Sequence, residues 1–250
     1  MDKLLELKNV SLKYQTEDDE ILAVNKLSFT VCKKEFVSII GPSGCGKTTI
    51  LSLIAGLIKP TDGEVVFYGK DGNADKGKLG YMLQKDHLFP WRTIEKNVYL
   101  PLEISKTDTS ENRKYCLNLL DKYGLSGFKN SYPEQLSGGM KQRVALIRTL
   151  AGKPDLLLLD EPFSALDYQT RLSVCNDVYS IIKKEEKTAI LVTHDISEAL
   201  SMSDIIIVLS DRPAQVKFVH RPAIGGDTPL SRREKPKFGE WFEKLWKELN

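Results

Sequence analysis

Apolar residues along the chain fall into two rhythms. Near the start, "LLELKNVSLKY" and "LSFTV" alternate apolar and polar positions, the period of a strand with one face buried. "EFVSII" at Glu35–Ile40 is instead a short continuous apolar run ending in glycine, the pattern of a strand buried on both faces. "TTILSLIAGL" reads as a helix stopped by "KPTDG", and "GEVVFYG" and "KLGYML" as two further strands. From Thr93 to Leu150 the rhythm changes: "ENRKYCLNLLDKYGL" and "KQRVALIRTLAG" have helical period and no strand pattern stands out. Beyond it, "PDLLLLD", "TAILVTH" and "DIIIVLS" are compact β runs alternating with the helical stretches "QTRLSVCNDVYSIIKKE" and "DISEALSM".

Alternating β and α with continuous apolar strands predicts an α/β fold with a mostly parallel sheet covered on both faces. A helical segment of about residues 93–150 is expected as an insertion into a core of about 1–92 and 151–219. Residues of about 220–250 read as loops and a last helix, in which Phe238, Trp241, Phe242, Leu245 and Leu249 form one apolar stripe. Packing on the domain is the preferred reading of that stripe; contact with a partner or a membrane surface is the other.

Composition narrows the classes. The 250 residues are 41% apolar and 28% charged with a net charge of +2, which is ordinary globular composition and no argument for a nucleic-acid partner. The longest apolar runs, such as "LLLL" and "IIIVL", fall far short of the roughly 20 residues that span a bilayer, and "MDKLLELKNV" lacks the apolar core of a signal peptide. Cys32, Cys45, Cys116 and Cys175 are scattered without metal spacing and read as reduced thiols of a cytoplasmic protein.

The chemistry is concentrated at a few strand ends. "GPSGCGKT" fits G-x-x-x-x-G-K-[ST], with a strand before and a helix after. Gly41, Gly44 and Gly46 let the backbone wrap phosphate oxygens, and the amides of Ser43–Thr48 form an anion nest at a helix N-terminus. Lys47 is a cation for the β- and γ-phosphates, and the Thr48 hydroxyl is a Mg²⁺ ligand. "LLLLDE" ends a buried strand in two carboxylates, which is costly unless they meet a cation. Successive strand side chains point opposite ways, so Asp160 is read as holding Mg²⁺ through water and Glu161 as polarising the attacking water. His194 leaves another apolar strand and is a candidate γ-phosphate sensor; Gln84 ends a further one and can reach Mg²⁺ or the lytic water. Ligands of α/β sheets gather at such carboxyl ends. "SGGM" at Ser137–Met140 opens a second helix in the manner of an anion site.

Taken in order, "GPSGCGKTT", Gln84, "LSGGM", "LLLLDEP", "SALD" and His194 closely resemble the nucleotide-binding subunit of ATP-binding cassette (ABC) transporters, over roughly Leu4 to Val219. The resemblance implies a RecA-like P-loop NTPase core with an N-terminal antiparallel β subdomain and an inserted helical subdomain. It implies ATP and Mg²⁺ as ligands: Gly41, Ser43, Gly44, Cys45, Gly46, Lys47, Thr48 and Thr49 on the phosphates, Thr48, Gln84 and Asp160 on the metal, Gln84 also in coupling, Glu161 as catalytic base and His194 as switch. Tyr14 matches the aromatic that stacks on adenine. Two copies are expected to pair head to tail, with Ser137, Gly138 and Gly139 capping the γ-phosphate held by the other copy. "LQKDHLFPWRTIEKNV" and the Met140 in "LSGGMKQR" are similar to the branch that imports nitrate, sulfonates and taurine. That branch implies permease subunits, a separate solute-binding protein, and a peripheral place on the cytoplasmic face of the membrane. An exporter or lipid-extrusion ATPase is the alternative. A soluble cassette acting on DNA or the ribosome is disfavoured by the lack of a long coiled coil or second cassette. Cys45 beside the loop amides reads either as a thiol of lowered pKa, whose alkylation blocks ATP, or as an inert loop side chain.

Overall fold

In the computed structural model, which describes residues 2–15, 19–69, 74–75 and 77–249, the chain divides into two compact units: Met1–Gly77 with Glu186–Asn250, and Lys78–Glu185. The first unit therefore takes both ends of the chain.

The chain opens with two long antiparallel strands, β1 (Lys3–Gln15) and β2 (Glu20–Cys32), paired from Lys3↔Cys32 to Gln15↔Glu20. β3 (Phe36–Ile40) is buried at every residue, and a loop leads from it into α1 (Lys47–Ile54). β4 (Asp62–Tyr68) returns to pair antiparallel with the free side of β1, and the two-residue β5 (Ala74–Asp75) pairs with β4. A bulge sits where Asn9 takes a φ of 48°. There Gly63 passes so close that a Cβ would meet the Lys8 and Asn9 carbonyl oxygens at 2.4 and 2.3 Å, so no other residue fits.

The second unit begins with β6 (Leu79–Met82) and holds α2 (Ile94–Ile104), α3 (Ser110–Lys122), α4 (Gly138–Ala151), β7 (Leu156–Asp160) and α5 (Tyr168–Lys184). β6 and β7 are parallel, with Tyr81 opposite Leu158. Each helix starts on a side-chain cap: Thr93, Thr109, Ser137 and Asp167 each accept an amide of their own first turn. α4 is the centre of this unit and packs on α2, α3 and α5 through Val144, Ala145, Ile147 and Leu150.

Back in the first unit, β8 (Thr188–Val192), α6 (Ile196–Met202), β9 (Ile205–Leu209), β10 (Val216–His220), α7 (Pro229–Arg233) and α8 (Pro236–Leu249) complete the chain. β3 lies between β8 and β9, parallel to both, and β10 runs antiparallel on β9. The architecture is the expected α/β one: parallel strands, an antiparallel sheet and a helical insertion. The terminal stripe packs on the domain. Leu245 is fully buried against Ile40, Ile196, Leu200, Ile206 and Val208, with Phe238, Trp241, Phe242 and Leu249 around it. Burying one such leucine is worth about 1.5–3 kcal/mol. Glu248 pins the helix, its carboxylate 2.7 Å from His220 Nε2 and its carbonyl accepting from Lys217 Nζ.

Four elements depart from the sequence reading. β2 begins at Glu20, well before "LSFTV". The segment 211–237, loop-rich by its sequence, contains β10 and α7: β10 is a half-exposed strand of five residues, too short to show a pattern, and α7 is announced only by its Thr228 cap and Pro229. α2 was hidden by Pro101, which removes one rung of the helix it sits in.

Candidate functional site

In the first unit the phosphate loop joins the carboxyl end of β3 to α1. Gly44 and Gly46 adopt φ of 74° and 119°, and a Cβ on Gly41 would come within 3.0 Å of both Cys45 Sγ and Leu209 Cβ. The loop closes on its own cation. Lys47, the first residue of α1, donates from Nζ to the carbonyls of Gly41 at 2.8 Å and Pro42 at 2.9 Å. Arg212 holds the loop from outside, Nη2 donating to the Gly44 carbonyl at 3.1 Å. Ala214, two residues on, exchanges backbone hydrogen bonds with Ala23 and Asn25. The loop carbonyls are thus engaged by side chains, as an inward-facing amide nest requires.

Cys45 corrects the expectation of a lowered thiol pKa. Its side chain is buried, and burial pushes the thiol up, against the smaller downward pulls of Lys47 and the loop amides. Its backbone amide donates within the loop, to the Pro42 carbonyl at 3.3 Å.

Because β3 and β8 are parallel, His194 leaves β8 at the edge where Gly41 leaves β3; the Thr193 amide donates to Ile39 O. His194 itself is exposed. Its neighbours are fixed: Thr193 Oγ1 donates to the buried Glu198 carboxylate at 2.6 Å and accepts from the Asp195 amide, while Asp195 caps α6. Tyr14 lies elsewhere in this unit, near the end of β1 in the antiparallel sheet. It is 39% exposed and lines a shallow cavity of about 460 Å³ with Leu12, Gln15, Glu20 and Pro60.

The second unit carries the remaining candidates. Asp160 ends β7, buried, with the Tyr81 hydroxyl 3.4 Å from Oδ2. Glu161 is outside the strand, at a φ of 43°. That left-handed backbone costs a non-glycine residue about 1–2 kcal/mol. The two carboxylates are therefore separated by a turn of the backbone rather than by strand alternation, and strain of this kind clusters at functional sites. Gln84 follows β6 and donates from Nε2 to Ser164 Oγ at 3.3 Å, and Ser164 Oγ donates to the Glu161 carbonyl at 2.9 Å. Ser164, to which the sequence assigned no role of its own, joins the two.

Ser137, Gly138 and Gly139 open α4. The Ser137 hydroxyl accepts from the Met140 amide at 3.4 Å, so it caps its own helix. Neither glycine has a positive φ. Gly139 is required by packing: a Cβ would sit 2.8 Å from Val174 Cγ2 and 3.3 Å from Thr170 Cγ2 on α5, and one on Gly138 3.1 Å from Leu166. Asp167 caps α5, and its bond from Thr170 holds its carboxyl below the usual range. The segment 161–167 thus touches Gln84 at one end and the start of α4 at the other.

Among the described residues no helix is long and apolar enough to cross a membrane, and no three His, Cys, Asp or Glu side chains cluster as a metal cage.

Comparison with known proteins bears on the family and the fold. The family described as ABC transporter matches residues 24–164. The chain is 48% identical over 248 residues to the uncharacterized ABC transporter ATP-binding protein YtlC of Bacillus subtilis (strain 168), covering 98% of this chain and 95% of that one. It is 36% identical over 246 residues to the taurine import ATP-binding protein TauB of Roseobacter denitrificans, covering 96% and 92%. Among solved structures it resembles the dimeric post-hydrolysis state of the ATP-binding cassette MJ0796 bound to ADP and Pi, with a TM-score of 0.71 and 35% identity over 87% of this chain and 98% of that one.

Proposed function

We propose, from the premise that the chain belongs to the ABC transporter family, that it is the ATP-hydrolysing subunit of an importer for a small solute of the nitrate, sulfonate or taurine kind. The chain is an ABC ATPase that binds ATP. The importer reading is carried by its likeness, over 96% of its length, to a protein named for taurine import.

In this reading Lys47 and the amides from Ser43 to Thr49, with Gly41, Gly44, Cys45 and Gly46 shaping the loop, hold the phosphates, and Tyr14 stacks on adenine. The Thr48 hydroxyl, the Gln84 amide oxygen and the buried Asp160 carboxylate are hard oxygen donors of the kind Mg²⁺ accepts while keeping its waters. Mg²⁺ bound there supplies charge neutralisation at the β- and γ-phosphates. Glu161 takes the proton of the attacking water, and His194 senses the γ-phosphate. Such catalysis rests on positioning and electrostatics more than on covalent chemistry. Two copies pair head to tail, each Ser137–Gly139 end of α4 capping the nucleotide of the other, so that the same patch serves both sides of a two-fold pair. The helical part, about 93–150, delivers that end. The dimer sits on permease subunits at the cytoplasmic face of the membrane, and a separate binding protein delivers the solute.

The test has two arms. The chain is reconstituted in vesicles with a candidate permease and binding protein, and ATP-dependent accumulation of taurine, sulfonate or nitrate is measured. ATP-driven extrusion would overturn the importer reading. Glu161→Gln should bind ATP yet turn over about 10²–10⁴-fold more slowly; ordinary turnover would remove Glu161 as the base.

A further inference from the structure

The loop after Gln84 is not free-standing. It is bonded to two helices by two side chains, Asn97 buried and Arg148 half-buried. From α2, Asn97, fully buried, accepts the Phe89 amide at 2.7 Å and donates from Nδ2 to the carbonyls of Phe89, Arg92 and Thr93 at 3.0–3.1 Å. From α4, the Arg148 guanidinium donates to the Asp86 carbonyl at 2.6 Å and the His87 carbonyl at 2.7 Å. His87 has a left-handed φ of 45°, and the Asp86 carboxylate accepts the Leu88 amide at 2.9 Å. Burial lowers the Arg148 pKa from its ordinary value. A half-buried cation that spends both arms of its planar fork on neighbouring carbonyls fixes them in position and direction, which a single point charge does not.

The helix that supplies Arg148 is the one that Ser137–Gly139 begins. By helix geometry Arg148 lies about 16 Å along α4 from its cap. α4 is packed on α2, α3 and α5.

We propose that Arg148 is a positioning residue for the ATPase: it ties the segment after Gln84 to α4, so that Gln84 travels with the Ser137–Gly139 end of the same helix. Capture of a partner's nucleotide at one end of α4 then sets Gln84 through the other. This rests on the reading that Gln84 serves the metal or the water, and the experiment separates the two ideas.

Steady-state Mg²⁺-ATPase of the full chain is measured for Gln84→Ala, Arg148→Ala, Arg148→Lys and Gln84→Ala/Arg148→Ala. Misplacing a group by about 1 Å costs up to about 10²-fold. Arg148→Ala should therefore lower kcat by about tenfold or more, leave KM for ATP within about twofold, and raise the Mg²⁺ concentration needed for half-maximal rate. Arg148→Lys, which reaches one carbonyl, should regain part of the rate. The double variant should be no slower than Gln84→Ala, the mark of two residues acting as one. Amide exchange should quicken at residues 86–89 but not within 144–150. If Arg148→Ala proves unfolded, Arg148→Lys carries the same cycle. A further loss of rate when Arg148 is changed in the Gln84→Ala background, equal to its loss in the wild type, would reduce Arg148 to a structural residue. An unchanged kcat in Gln84→Ala alone would remove the role of Gln84, and this proposal with it.

Discussion

The molecule has two glycine loops that look alike in sequence and differ in construction. Both precede a helix, and both present backbone amides at its N-terminus. In the loop at Gly41, two glycines stand at positive φ and Lys47 is folded onto the Gly41 and Pro42 carbonyls. It is an anion site complete within its own turn. At Ser137 both glycines are in ordinary helical backbone, no lysine folds in, and the serine hydroxyl is spent on its own helix cap. There the missing side chains let α4 approach α5. The first loop is shaped by its backbone angles and its lysine; the second is a smooth, small-residue helix end, the part that the proposed head-to-tail pair would set against a partner's nucleotide. Glycine spacing alone does not distinguish these uses; the dihedral angles do.

Substitutions can break this contrast, beginning with the largest effect. Gly138→Asp should keep nucleotide affinity but lose turnover by about 100-fold or more, because in the proposed head-to-tail pair it would set a carboxylate before the partner's phosphate. Lys47→Ala should instead weaken nucleotide binding itself, by roughly ten- to a hundredfold, the loss of charged hydrogen bonds. Fluorescent-nucleotide titration beside an ATPase assay separates them; a Gly138→Asp protein that failed to bind nucleotide would erase the distinction. Gly139→Val should overpack the α4–α5 contact at Thr170 and Val174 and cost about 1–3 kcal/mol, a fall in Tm of roughly 2–12 °C. An unshifted melting curve would mean that glycine is not there for packing. Ser137→Ala should remove a helix cap worth about 1 kcal/mol with little change in monomer nucleotide affinity. A stability loss near zero would mean that the hydroxyl is reserved for a ligand.

The motif residues were legible because their chemistry demands particular types in a fixed order. A buried apolar strand followed by "GPSGCGKT" can hardly be read otherwise, and the parallel core strands, all fully buried, announce themselves as continuous apolar runs. The residues that hold the site in shape were not legible. Ser164, Asn97, Arg148 and Arg212 work through bonds to backbone atoms or to residues distant in sequence, such as Arg212 to Gly44, and nothing in their neighbours marks them. Of the two readings open for Cys45, the lowered thiol fails for a related reason: its neighbours in sequence are amides and a lysine, but its side chain is buried, where desolvation outweighs both. β10 escaped because a short strand at a half-exposed edge needs little apolar pattern to form.

The first unit's use of both chain ends has a consequence for how the protein is made. β3, which carries the phosphate loop, pairs Val37 with Ile190 and with Ile205, and its Ile40 is sealed under Leu245 of the last helix. The second unit, Lys78–Glu185, is one uninterrupted stretch and leaves the ribosome whole. At a synthesis rate of about 5–20 residues per second, the nascent chain therefore spends several seconds with its helical unit complete while the ATP loop still waits for its flanking strands. The order of translation completes α4 before the strands that flank the phosphate loop have been made.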